Sequence, residues 1–348
     1  MTARDDFSTR LIAWQKIHGR HDLPWQNTRD PYAIWVSEIM LQQTQVTAVI
    51  GYYQRFMQRF PTIKSLAEAT QEEVLQYWSG LGYYSRARNL HNAAQTIMDE
   101  YGGKFPQDFE QIQALSGIGR STAAAIASFA FNQNQTILDG NVKRVLARHY
   151  LIEGWTGAPK IEKQLWSLAE SLVPEQDMVA YTQGLMDLGA TICTCSKPKC
   201  ELCPLKASCK ALSENKTKSL PTPKPKKTIP QKQTTMLLIL DGNEVMLEKR
   251  ASSGIWGGLW SLPEISMQDI ASEVALRRFG LEVEAEEPLA SIQHVFTHFK
   301  LEILPQPLNV THRPPQTNMP NTIWLPIEDA IGAALPTPVR NILLNLTH

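Results

Sequence analysis

Apolar residues recur at helical spacing from the start of the chain. Phe7, Leu11, Ile12, Trp14 and Ile17 share one side of a helix predicted over 7–18. Asp22-Leu23-Pro24-Trp25 ends that run. Asp30-Pro31 opens the next, because proline is tolerated in a first helical turn. Its stripe runs through Ile34, Trp35, Ile39, Met40, Val46, Val49, Ile50 and Tyr53, interrupted by the polar patch Leu41-Gln42-Gln43-Thr44-Gln45. An amphipathic helix follows over 155–172, and another over 181–190 is expected to end at Gly189. The period then changes. Thr235–Leu240 and Glu244–Lys249 read as strands joined by the hairpin signal Asp241-Gly242-Asn243, with a helix near 268–279 and strands around 291–304. The pattern predicts a helical domain over 1–215, a Lys/Pro-rich linker over 216–233 and an α+β domain over 234–348.

Two interruptions of the helical pattern suggest chemistry. Ser116-Gly117-Ile118-Gly119-Arg120 separates two helices, and Leu138-Asp139-Gly140 precedes a third. Gly117 and Gly119 are expected to supply backbone angles closed to other residues. They would leave bare amides near Ser121, an arrangement suited to a phosphate. Taken alone, Gly-x-Gly is adequately explained as an ordinary turn between helices. Glu38, one turn before the glutamine patch, reads on its own as a solvated surface group.

Leu115–Gly119 followed by Asp139 resembles the helix-hairpin-helix DNA glycosylases, the superfamily of endonuclease III, with Ser116 where that family usually carries proline. Trp35–Val46 (WVSEIMLQQTQV) and Gly80–Arg88 (GLGYYSRAR) are similar to its adenine-excising branch. The resemblance implies that Glu38 protonates a flipped adenine and that Asp139 balances or captures the positive charge on the sugar. Asn141 would position Asp139 or the attacking water. Gln42 and Gln43 would enter the duplex, Leu81 and Tyr83 would wedge into the base stack, and Arg86 and Arg88 would meet phosphates. Gly117, Gly119, Ser121 and Lys143 would lie along the DNA backbone. Ser121 stands where the lyase relatives carry a nucleophilic lysine, so the strand should stay intact, with Lys143 a source of weak side reactivity. Two other readings remain. A pyrimidine-excising lyase would need that lysine, and a non-catalytic DNA-binding module would leave Glu38 and Asp139 without a joint purpose.

All five cysteines fall between Cys193 and Cys209, which favours metal ligation in a reducing compartment over scattered disulfides. Cys193, Cys200, Cys203 and Cys209 read C-x6-C-x2-C-x5-C, and four thiolates suit either tetrahedral zinc or a [4Fe–4S] cluster. The spacing is similar to that superfamily's cluster loop, implying one [4Fe–4S] cluster per chain with Cys195 as a non-ligand. Lys197, Lys199, Lys206 and Lys210 would offer charge to a phosphate backbone.

After the linker, Gly254–Pro263 and the helix near 268–279 resemble a Nudix-like domain of the same branch. Asp269–Arg278 lacks the run of glutamates that binds metal in Nudix hydrolases. Phe296-Thr297-His298 matches the loop, usually Phe-Ser-His, that meets the partner base.

Composition adds bounds. With 348 residues, 43% of them hydrophobic, the chain can fill two cores. Lys+Arg and Asp+Glu balance at 34 each, so net charge gives no argument for nucleic acid. No apolar run approaches the roughly 20 residues of a membrane span, and Met1–Asp6 is not expected to open a signal peptide. A cytoplasmic monomer acting on double-stranded DNA that contains adenine opposite 8-oxoguanine or guanine is the expectation.

Overall fold

The computed structural model describes residues 3–225, 229–314 and 319–346. The expected linker includes 226–228, which lie outside the described residues. Contacts divide the chain into two compact units, Met1–Glu68 with Asn89–Lys226, and Ala69–Arg88 with Lys227–His348.

Helices make up the first unit: α1 (Ala3–His18), α2 (Pro31–Leu41), α3 (Val46–Arg59) and α4 (Ile63–Ala67). The chain runs on through α5 (Gln71–Trp78) and α6 (Ser85–Tyr101) to α7 (Phe109–Ala114) and α8 (Arg120–Phe131). Then come α9 (Gly140–His149), α10 (Pro159–Ser171), α11 (Met178–Asp187) and the short α12 (Lys210–Ser213). Asp30 caps α2 by accepting from Tyr32 N, with Pro31 in the first turn as the sequence predicts. Phe7, Leu11, Ile137, Leu138, Val142, Leu146, Leu165, Tyr181 and Leu185 form a buried core against which Cys193 and Cys203 pack.

One expectation fails here. Gly189 does not cap a helix: residues 188–192 continue α11 as a wider π turn. A side chain at Gly189 would meet the Asn141 Cβ at 2.6 Å, so the glycine serves close approach to α9.

The second unit contains α5 and a sheet with the path β3 (Trp260–Ser261), β2 (Glu244–Lys249), β1 (Gln231–Asp241), β7 (Lys300–His312) and β5 (Glu282–Ala285). β4 (Glu264–Ile265) pairs with β1, β6 (Ile292–Val295) with β7, and β8 (Thr322–Pro326) with β2. β1 and β7 run parallel, and Thr235–Ile239 are all buried, as a strand covered on both faces requires. α13 (Ala271–Phe279) packs Val274, Ala275 and Phe279 onto Leu237, Ile239 and Leu308. α14 (Ile327–Gly332) and α15 (Thr337–Leu344) close the chain. Arg278 at the end of α13 pairs with Glu248 at 2.6 Å, and Arg250 pairs with Glu264 at 2.5 Å. Two of the carboxylates near that helix are therefore neutralised by guanidinium groups. Among the described residues, no helix is long and apolar enough to cross a membrane.

Candidate active site and cysteine loop

Glu38 sits in the last turn of α2 and Asp139 immediately before α9, so the two carboxyls occupy opposite kinds of helix end. A helix C-terminus disfavours negative charge and an N-terminus favours it. Glu38 lines a cavity of about 470 Å³ together with Arg20, Leu23, Trp25, Leu41, Val46 and Gln183. It is half-buried, with its remaining surface on that cavity. Desolvation, and secondly the charge of Asp139, push its pKa up to about 8. Burial raises Asp139 too, but the Val142 and Asn141 amides and the Arg144 and Lys143 cations all act to lower it. Asp139 Oδ1 accepts from Val142 N at 2.8 Å. One carboxyl is thus tuned to stay protonated while its neighbour is surrounded by donors for its anion.

Sequence reasoning missed much of the cavity wall. Asp187 is buried, and its carboxylate accepts from Arg20 N (2.9 Å), Arg20 Nε (2.7 Å) and Gln183 Nε2 (2.9 Å). A carboxylate only accepts, so the Gln183 amide turns its NH2 to Asp187 and keeps Oε1 for another partner. Arg20 and Asp187 lie far apart in the chain, and no local pattern announces the pair.

Asn141 is more committed than expected. Its Oδ1 accepts from Arg144 Nη2 at 2.8 Å, and its backbone N–H is the part that serves Asp139. Arg144 also donates to Gly189 O and Cys193 O, each at 2.8 Å. Its place one turn after Asn141 on α9 was the available signal.

The hairpin is built as its spacing suggests, with one difference. Gly117 has φ +79°, and a Cβ there would meet the Asn89 Cβ at 2.7 Å. Gly119 has φ −86°, ψ 167°, angles open to any residue, and its missing side chain would face open space. Its glycine is therefore unnecessary for the turn itself, although as N-cap of α8 it contributes no capping side chain. Ser121 Oγ accepts from Leu138 N at 2.9 Å, tying α8 to the Asp139 turn. Gln42 Nε2 donates to Thr122 Oγ1 at 3.3 Å, and the exposed Gln43 takes φ +56°. Lys143 pairs with Glu162 at 2.5 Å.

In the second unit, the Tyr83 side chain is exposed at 48% whereas Leu81 is buried at 7%. Arg86 is also buried, donating to Leu81 O and Gly82 O with its guanidinium over the Trp78 and Tyr83 rings. Arg88 donates to Gly257 O at 2.7 Å. The two arginines expected at phosphates thus brace loops. Thr297 and His298 are exposed at a turn closed by Phe296 N to Phe299 O (2.9 Å), and Phe296 packs on Trp256 and Phe299. The Tyr83 hydroxyl and Thr297 Oγ1 are 3.5 Å apart.

Cys193, Cys200, Cys203 and Cys209 line one cavity with Arg148, and Cys195 is exposed outside it. Arg148 is buried and donates to Cys193 Sγ (3.4 Å) and to the carbonyls of Thr194, Cys195 and Leu220. Burial and the neighbouring sulfurs push the Cys200, Cys203 and Cys209 thiols up, Cys203 to about 11. These three thiols become thiolates only beside a strongly cationic group. Among the described residues, no three ligating side chains gather closely enough for a single metal ion. An all-sulfur set around a shared cavity suits a larger group.

Residues 36–171 match the HhH-GPD superfamily of base excision DNA repair proteins, and residues 235–345 match the NUDIX domain. The adenine DNA glycosylase of Buchnera aphidicola (from Acyrthosiphon pisum) is 41% identical over 97% of each chain. The Mus musculus adenine DNA glycosylase is 34% identical over 97% of this chain and 77% of its own. An endonuclease III–DNA complex superimposes with a TM-score of 0.52 over 62% of this chain and 99% of its own at 21% identity, which speaks for the fold of the helical part.

Proposed function

This chain belongs to the adenine DNA glycosylases of base excision repair, and from that membership we propose the finer reaction. It hydrolyses the N-glycosidic bond of adenine opposite 8-oxoguanine or guanine in duplex DNA, as a monomer, and leaves the strand intact. The observation that carries the reading is the pairing of Glu38, which lines a cavity at the end of α2 and whose pKa burial raises, with Asp139 among its amide donors at the start of α9. Protonation at the imidazole-side ring nitrogen makes adenine a neutral leaving group. Asp139, stabilised as an anion by the α9 amides, balances or captures the cation left on the sugar. Gln183 Oε1 is an acceptor suited to the adenine amino group, with Asp187 fixing its orientation. Tyr83 is the wedge, and Leu81 supports it from inside the loop. The bare N-cap at Gly119 suits a phosphate.

The four cysteines fit a [4Fe–4S] cluster. When bound, the cluster supplies positive charge and crosslinks the loop. Arg148 then anchors the loop carbonyls, and Arg144 joins Cys193 to Asn141 beside the catalytic turn.

Incubating the protein with duplex containing adenine opposite 8-oxoguanine tests the reaction. Breaks at the adenine position should appear only after alkali, and borohydride should trap little protein–DNA adduct, because Ser121 cannot form a Schiff base. Strand breaks without alkali would instead assign lyase chemistry to this site. Efficient trapping that disappears in Lys143→Ala would identify the amine.

Partner recognition is proposed for the 296–298 loop. A hydroxyl and an imidazole can sense the one carbonyl and one N–H that distinguish 8-oxoguanine from guanine. A mispaired polar group costs about 1–3 kcal/mol. Thr297→Ala with His298→Ala should slow excision opposite 8-oxoguanine roughly tenfold or more while sparing excision opposite guanine. Equal losses on the two duplexes would place lesion recognition elsewhere.

A further inference from the structure

The loop that presents Tyr83 is an unfavourable stretch of backbone. Gly80 (φ +98°), Gly82 (φ +75°) and Tyr83 (φ +48°) all take left-handed angles. Tyr83 has a side chain, so for it this conformation is strained. Such a loop persists only where its surroundings over-determine it. Some ties are local: Trp78 Nε1 donates to Gly82 O at 3.2 Å, and Gly80 N donates to the Tyr84 hydroxyl at 3.2 Å.

The other ties come from the far end of the chain, in the same compact unit. α14 ends at Gly332 with carbonyls that a helix cannot satisfy internally. Gln76 Nε2 donates to Gly332 O at 3.3 Å. The Tyr84 hydroxyl and Ser79 Oγ donate to Leu335 O at 3.3 and 3.4 Å. Arg340, on α15, uses Nη2 to bridge Ser79 Oγ and Ala333 O at 2.9 Å each. Leu335, Leu81 and Tyr84 are buried, so the loop is gripped on its inner side while Tyr83 is left exposed.

We infer that residues 332–340 are a support for the wedge, with Arg340 the positioning residue that locks Ser79 and, through it, the loop carrying Tyr83. The inference rests on the proposed role of Tyr83 in the DNA stack. It gives the C-terminal segment a task independent of the partner base. A wedge opens the duplex whichever base lies opposite, whereas the 296–298 loop reads that base.

Full-length Arg340→Ala tests this, with 2-aminopurine placed beside the target base to report unstacking on binding. The variant should give less unstacking and about tenfold slower excision, by the same factor opposite 8-oxoguanine and guanine, since small misplacements cost rate. Arg340→Lys should recover part of the loss, because an ammonium still reaches one of the two acceptors. In a Tyr83→Ala background, Arg340→Ala should add no further loss. Wild-type unstacking and rates in Arg340→Ala, a loss confined to one duplex, or full additivity with Tyr83→Ala would each overturn the inference. Should Arg340→Ala fail to fold, Ser79→Ala probes the same contact from its other side. If the wild-type protein excises no adenine, the functional reading fails, and the fluorescence measured on binding still decides whether Arg340 sets the loop.

Discussion

Glu38→Gln is expected to lose adenine excision by about 10²–10⁴-fold in single-turnover assays while binding lesion duplex nearly as well as the wild type. The substitution keeps shape and polarity but removes the only proton the side chain can give. It should also raise stability. In the unfolded chain this carboxyl ionises near its ordinary value, and in the folded chain only near pH 8. Between those limits the folded state holds more protons, so stability falls as pH rises, and a neutral glutamine abolishes that fall. Discounted for water in the open cavity, the gain at pH 8 is about 2–4 kcal/mol, readable as a higher melting temperature. Asp139→Asn is the matching control. Asparagine caps a helix as well as aspartate, so α9 should hold while excision disappears. Undiminished excision by Glu38→Gln would remove the acid from its assigned role.

The second large effect concerns the cysteine loop. Purified protein should be yellow-brown and carry about four iron atoms per chain, as four thiolates around one cavity imply. Cys200→Ser or Cys203→Ser should lose the iron and lower the melting temperature, whereas Cys195→Ser should retain both. The damage should spread beyond the loop, because Cys193 and Cys203 pack against the core built on α9 and α11. Elemental analysis giving one zinc per chain would overturn the cluster.

Much of this site was legible because its parts are local. The Asp139 cap, the Gly117 turn and the cysteine spacing each depend on residues a few positions apart, and each forms where the pattern predicts. The gap between the strands at Gly242-Asn243 was equally readable, since a two-residue hairpin is set by its own sequence. Contacts made at long range stayed hidden. Nothing near Arg20 points to Asp187, and nothing near Ser79 points to Arg340. Some local readings also gave way to packing. Gly189 looked like a cap and proved to be a place where Asn141 comes close. Arg86 looked like a surface cation and proved to be buried against loop carbonyls.

The most direct measurement is the pH dependence of single-turnover adenine excision by the wild-type protein. Glu38 works protonated, so the rate should fall as pH rises through about 8. Asp139 works ionised, so the rate should also fall on the acid side, at a pH above the usual aspartate range because burial raises that group. A bell with its alkaline limb near pH 8 is the expected result. A rate that stays flat from pH 6 to pH 10 would contradict a protonated Glu38 as the acid that releases adenine.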